Sequence, residues 1–126
     1  MTVIATLITK HWIAHATDSL ITERRHDKKY DIKERQKPKT VRVEAFDGAI
    51  SYWGLAWDNL RRWNTYEWLR KQASSASRFT TAAEFAKHLA QNLTYEIDRL
   101  STVEKSLRGL GLHCAVSFRQ WRCEVV

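Results

Sequence analysis

The chain has 126 residues, a length that suits one domain. It is 44% hydrophobic, with six tryptophans, only four glycines and one proline, which excludes a disordered or collagen-like chain. Its net charge of +7 is local: residues 24–42 carry nine Lys/Arg against three acidic residues, and the rest is nearly neutral. No run approaches the roughly 18 uninterrupted apolar residues of a membrane span, and the start lacks the basic-then-apolar pattern of a secretion signal. Cys114 and Cys123 are too few for a disulfide framework, and no His pair at metal spacing accompanies them. They read as strand or core filling in a reduced, cytoplasmic protein.

Thr2 follows the initiator Met1, and a small second residue favours removal of the methionine. The new terminus would hold a nucleophile and a base in one residue: a hydroxyl, and an α-amine with a pKa of about 7.7–8.0. Residues 2–9 are rich in β-branched side chains and predict a strand, and Trp12–Thr17 predict a second strand returning beside it. Asp18-Ser19 follows, with small residues Ala14 and Ala16 around it.

Residues 23–38 show no apolar period and end in Pro38, so they read as a long basic loop. Thr40–Phe46 alternates and predicts a third strand; Asp47-Gly48 is a turn signal, and Ala49–Trp53 a fourth strand ending at Gly54. From there Trp53, Ala56, Trp57, Leu60, Trp63 and Trp68 share one arc of a helical wheel. That predicts a helix opening near Gly54–Asp58, its tryptophans serving as core rather than as a stacking surface. Thr81-Ala82-Ala83-Glu84 fits a capping box ahead of a second helix bearing Phe85, Leu89, Leu93, Ile97 and Leu100, with His88 a structural histidine beside that face. Leu112–Phe118 and Trp121–Val126 read as strand. Four strands, two helices and then strand argue for an α+β fold.

These motifs resemble those of proteasome β-type subunits and bacterial proteasome-related threonine peptidases, which are N-terminal nucleophile hydrolases. The shared order is a threonine at the mature start, two strands ending in Asp-Ser, a lysine leading a strand, and Gly-x-x-x-Asp. In this sequence these are Thr2, Asp18-Ser19, Lys39 before Thr40–Val43, and Gly54–Asp58. The likeness covers residues 2 to about 118 and is firmest over 2–69. It implies an αββα sandwich, of which the second half is expected to be missing here. It also implies amide or peptide cleavage through a Thr2 acyl-enzyme without metal or cofactor. In that scheme Lys39 supplies an ammonium beside the nucleophile, Asp18 orients Lys39, the Gly54 N–H serves the oxyanion, and Tyr52 lines the substrate pocket. Partners implied are a peptide or amide substrate, further copies of the chain in an oligomer of the ring type this family forms, and an ATPase.

The interval between Asp18 and Lys39 is longer than the family's usual one, leaving Lys33 or Lys37 as alternatives for the lysine. Leu55 stands where the family has a second glycine. The serine and aspartate that support the terminal amine in the family have no counterparts, and retention of Met1 would remove the amine base. Two other functions stay open: a catalytically inactive assembly or binding protein of the same fold, and a basic nucleic-acid-binding module using residues 24–42. The basic segment lacks a helical or aromatic pattern, which argues against nucleic acid, and nothing in the sequence points to a membrane.

Overall fold

β-branched residues set the first hairpin: β1 (Ile4–Ile8) pairs antiparallel with β2 (Ile13–Thr17), Thr6 lying opposite His15. A computed structural model of the chain describes residues 2–9, 11–24, 32–58, 61–100 and 110–116. β3 (Leu20–Arg24) pairs with β4 (Ile32–Gln36), β5 (Thr40–Val43) pairs with β6 (Gly48–Gly54), and the far edge of β6 takes β9 (Leu110–Ala115). Between β6 and the first helix lies a two-residue hairpin, β7 (Trp57–Asp58) with β8 (Trp63–Asn64). Helix α1 spans Thr65–Ser74 and α2 spans Ala82–Arg99. Every strand pair among the described residues is antiparallel, so the chain is α+β.

The β5–β6–β9 sheet uses its two faces differently. Alternation along β5 and β6 turns Val41, Val43, Ile50 and Tyr52 to one side, where they join Leu69 of α1 and Phe85 and Leu89 of α2 in the main core. Val43 and Leu69 are fully buried, and each such side chain contributes roughly 1.5–3 kcal/mol of hydrophobic stabilisation. The other side carries Thr40, Ser51 and His113, which meet the β1–β2 hairpin through hydroxyl and imidazole contacts. The order through the molecule is therefore helices, sheet, hairpin.

Three expectations change. Residues 23–38 are not a loop throughout, because β3 and β4 form a ribbon with Leu20 opposite Gln36 and Arg24 opposite Ile32. Strand pairing is a backbone property, and a two-stranded ribbon forms without apolar alternation. No helix opens at Gly54–Asp58 either. There the chain folds back on itself: the Thr65 N–H donates to the Ala56 carbonyl at 2.8 Å and the Thr65 hydroxyl to Leu55 O. Asp58 takes both the Arg61 N–H and its guanidinium, and the helix starts only at Thr65, capped by Asn64 Oδ1 accepting from the Glu67 N–H at 3.1 Å. The third strand is shorter than Thr40–Phe46, since Glu44–Phe46 close into a 3₁₀ turn that Asp47 ends in the left-handed region.

The capping box stands as read: Thr81 Oγ1 accepts from the Glu84 N–H at 3.1 Å while Glu84 Oε2 accepts from the Thr81 N–H. Trp63 is buried, Trp57 and Trp68 pack against the core, and Trp53 is exposed. His88 packs against Phe79 with the rings tilted and meets Asn92, a structural setting. Cys114 lies in β9 with its thiol pushed up by burial, which does not make a nucleophile. Residues 25–31, Leu60, Gly109, Cys123 and the strand expected over Trp121–Val126 lie outside the described residues.

Candidate active site

Strand endings bring the expected residues together. Thr2 precedes β1, Asp18 follows β2, and pairing of those strands puts them at the same end of one hairpin. The hairpin is closed there by Asp18 itself: its N–H donates to Val3 O at 3.1 Å, and its Oδ1 accepts from the Val3 N–H at 2.8 Å. Lys39 leads β5 and comes from the sheet. Its Nζ donates to Asp18 Oδ2 at 3.0 Å and to Thr2 Oγ1 at 3.1 Å. Of the three candidate lysines, this is the one placed at Thr2 and Asp18. Lys37 is exposed, and Lys33 lies within β4.

Lys39 is only 4% exposed, unusual for a lysine, and the Asp18 carboxylate compensates its burial. Burial works against the Asp18 charge. The Lys39 hydrogen bond, the Val3 N–H, the Lys39 charge and the Leu20 N–H together outweigh it and hold the carboxyl below the ordinary carboxylate value.

Tyr52 is 2% exposed within the main core, and that burial, with Tyr66 nearby, pushes its phenol up to about 12. Its hydroxyl donates to Pro38 O at 3.4 Å and its N–H to Lys39 O at 3.1 Å. It therefore braces the segment that delivers Lys39, which lies across from it at the leading edge of β5. Gly54 ends β6 opposite Leu110, is exposed, and has φ of 95°, a left-handed conformation that suits glycine. It stands at a strand end rather than a helix start.

A second polar group adjoins the triangle. Thr17 Oγ1 meets Thr40 Oγ1 at 3.0 Å, Thr40 Oγ1 meets Ser51 Oγ at 2.8 Å, and Ser51 Oγ closely contacts His15 Nε2. His15 Nδ1 lies 2.8 Å from Thr6 Oγ1, which is also 3.1 Å from His113 Nε2. The sequence did hold a signal for this row. Thr6, His15, Thr17, Thr40 and Ser51 are polar residues on one parity of otherwise apolar strands, which marks a shared face. Among the described residues no group of three or more His, Cys, Asp or Glu could hold a metal ion. No helix among them is long and apolar enough to cross a membrane.

The chain matches no family model, no curated protein and no solved structure. The functional reading therefore rests on the residues and their geometry.

Proposed function

We propose that the chain is a proteasome-like N-terminal nucleophile hydrolase of the αββα class, cleaving amide bonds through an acyl-enzyme on Thr2. One observation carries this reading: a buried lysine shared between a carboxylate and the hydroxyl of residue 2. A lysine buried in that way is costly unless its position serves a purpose, and here its charge is directed at a hydroxyl.

Once Met1 is removed, the Thr2 α-amine takes the proton from Oγ1 as Oγ1 bonds to the substrate carbonyl carbon. Lys39 donates to Oγ1 and stabilises the charge developing there, while Asp18 fixes the lysine against rotation. The amine passes the proton to the leaving nitrogen, the C–N bond breaks, and an ester on Thr2 remains. Water attacks the ester with the same amine as base, releasing the acid and restoring the hydroxyl. Gly54 remains the candidate for the oxyanion donor. Val3, Leu7, Ile8 and Trp12, all exposed on or beside the first hairpin, support the self-association expected of such a protein. A cytoplasmic location and an ATPase partner complete the reading.

The test is intact mass and peptide mapping after treatment with an epoxyketone peptide, which requires both a terminal amine and its adjacent hydroxyl. An adduct on Thr2, absent in Thr2→Ala and reduced in Lys39→Met, is expected. Absence of an adduct from protein already lacking Met1 refutes the hydrolase reading and leaves an assembly or binding role.

A further inference from the structure

The site is divided between two bodies: the β1–β2 hairpin carries Thr2 and Asp18, and the sheet carries Lys39. Something must hold the hairpin on the sheet in register. The main core lies on the opposite face of the sheet, so it does not do so. The described side-chain hydrogen bonds between hairpin and sheet are the Lys39 bonds to Thr2 and Asp18 and the polar row from Thr17 to His113. Within that row the imidazoles of His15 and His113 stack nearly parallel, with ring centroids 5.3 Å apart and planes at 8°.

We propose that His15, paired with His113, is a positioning residue that docks the Thr2–Asp18 hairpin on the Lys39 sheet and releases it when both rings are protonated. The row can be satisfied with no extra proton: each hydroxyl donates once along the sequence Thr17, Thr40, Ser51, His15 Nε2, and His15 Nδ1–H donates to Thr6, whose hydroxyl donates to His113 Nε2. With one extra proton on His15 the Ser51 and Thr40 hydroxyls reverse, every contact within the row keeps one donor and one acceptor, and the Thr17 proton, at the end of the row, turns out of it. With two, His15 and His113 both donate to Thr6 Oγ1, the Thr6 proton has no acceptor in the row, and two cations lie face to face. Repulsion and a lost acceptor then act against the same contact.

The only other titratable group among the described contacts of this row is the second imidazole. Thr6 comes from β1, Thr17 from β2, Thr40 from β5 and Ser51 from β6, and none of these carries charge near neutral pH. Arg42 shares the Thr40 face of β5, exposed, and adds positive charge on that side. Burial, and then the His113 charge, lower the His15 pKa from its ordinary value of 6.5. The undocked state therefore binds more protons as the pH falls through that value, so docking is present above it and weakens below.

What this says about reactivity rests on the reading of Thr2 as nucleophile, but what it says about docking does not. The test is amide hydrogen exchange on the full chain between pH 7.5 and 5, corrected for intrinsic rates, with α2 as internal reference. Protection over residues 4–17 is expected to fall about tenfold or more relative to α2, and less than about threefold in His113→Gln or His15→Gln. A wild-type hairpin whose protection stays level, or a variant with an undiminished fall, overturns the proposal. Loss of α2 protection at pH 7.5 identifies a variant that has not folded, and the wild-type profile then decides alone. If protection falls as expected but the epoxyketone modifies Thr2 at no pH, the clamp stands and the hydrolase reading fails.

Discussion

Asp18→Asn changes one heavy atom and removes the one carboxylate that, among the described residues, is paired with Lys39. Both carboxylate oxygens are engaged, Oδ1 by the Val3 N–H and Oδ2 by Lys39 Nζ, with the Leu20 N–H also at the group. Asparagine has one oxygen, so its NH₂ must face one of those donors, and a donor is left against a donor. Breaking a buried pair by removing one partner costs about 3–5 kcal/mol. Asp18 keeps 27% of its side-chain exposure, so water screens part of that. The expected loss is about 2–3 kcal/mol, which lowers Tm by about 8–12 °C for a domain of this size. Lys39→Met removes the buried charge itself and leaves Asp18 near water with its backbone donors, costing about 1–2 kcal/mol. The double variant should cost little more than Lys39→Met alone, giving a coupling energy of about 1.5–2 kcal/mol. Urea unfolding followed by tryptophan fluorescence measures all four corners. The pair's pH dependence supplies an independent check. Its depressed Asp18 pKa contributes stability that is present above the ordinary carboxylate value of 3.8 and lost as pH falls through the lower folded value. Wild type and Asp18→Asn should therefore converge in acid. Additive single effects, with coupling below about 0.5 kcal/mol, would refute the claim that Lys39 is held by this carboxylate.

Other consequences can be ranked from contacts. A Cβ at Gly48 meets Ala115 O at 2.4 Å, which is backbone, whereas the atoms nearest one at Gly111 belong to the Trp53 ring, a side chain exposed to solvent. Gly48→Ala should thus cost about 2–3 kcal/mol by denaturant unfolding and Gly111→Ala about 1 kcal/mol or less, the latter with altered tryptophan emission. Thr81→Ala removes the α2 cap and should cost about 1 kcal/mol. Tyr52 should resist ionisation to about pH 12 in a spectrophotometric titration, a component that disappears in Tyr52→Phe. Thr40→Val breaks the polar row and should lower protection of the hairpin more than that of α2, while Leu89→Ala should destabilise the whole domain by about 2–4 kcal/mol.

Ordered spacing made the triangle legible. Thr2, Asp18 and Lys39 each follow or precede a strand with a clear alternating pattern, and hairpin pairing then brings their ends together. The helix start was misplaced because Trp53, Ala56, Trp57 and Trp63 happen to satisfy a helical arc while serving a strand and a tight hairpin. Asn64 and Glu67 mark the true start, since the Asn64 side chain accepts from the Glu67 N–H three residues on and caps the helix. That Tyr52 is buried was not legible for a different reason: position along a strand fixes which face a residue takes, but not which face is buried under helices. The β3–β4 ribbon escaped detection because charge masks the apolar alternation by which strands are recognised, and backbone pairing leaves no mark in composition.

The two faces of the β5–β6–β9 sheet do different work, and that separation bears on how the site is built. The apolar face, with Val43, Ile50, Leu69, Phe85 and Leu89, supplies non-directional stabilisation that fixes the sheet and helices but says nothing about where the hairpin sits. The polar face supplies directional bonds, each satisfied in one register only, and a one-residue slip of the hairpin would turn Thr6 and His15 away from the sheet together. Polar contacts contribute little net stability, yet they penalise every wrong alignment by leaving buried donors without acceptors. A Lys39 shared between two hairpin residues needs that kind of precision, because a displacement of about 1 Å at Thr2 Oγ1 would end its hydrogen bond while leaving the apolar core intact. Fold stability and site geometry are thus carried by opposite faces of one sheet, and substitutions on the two faces should separate them.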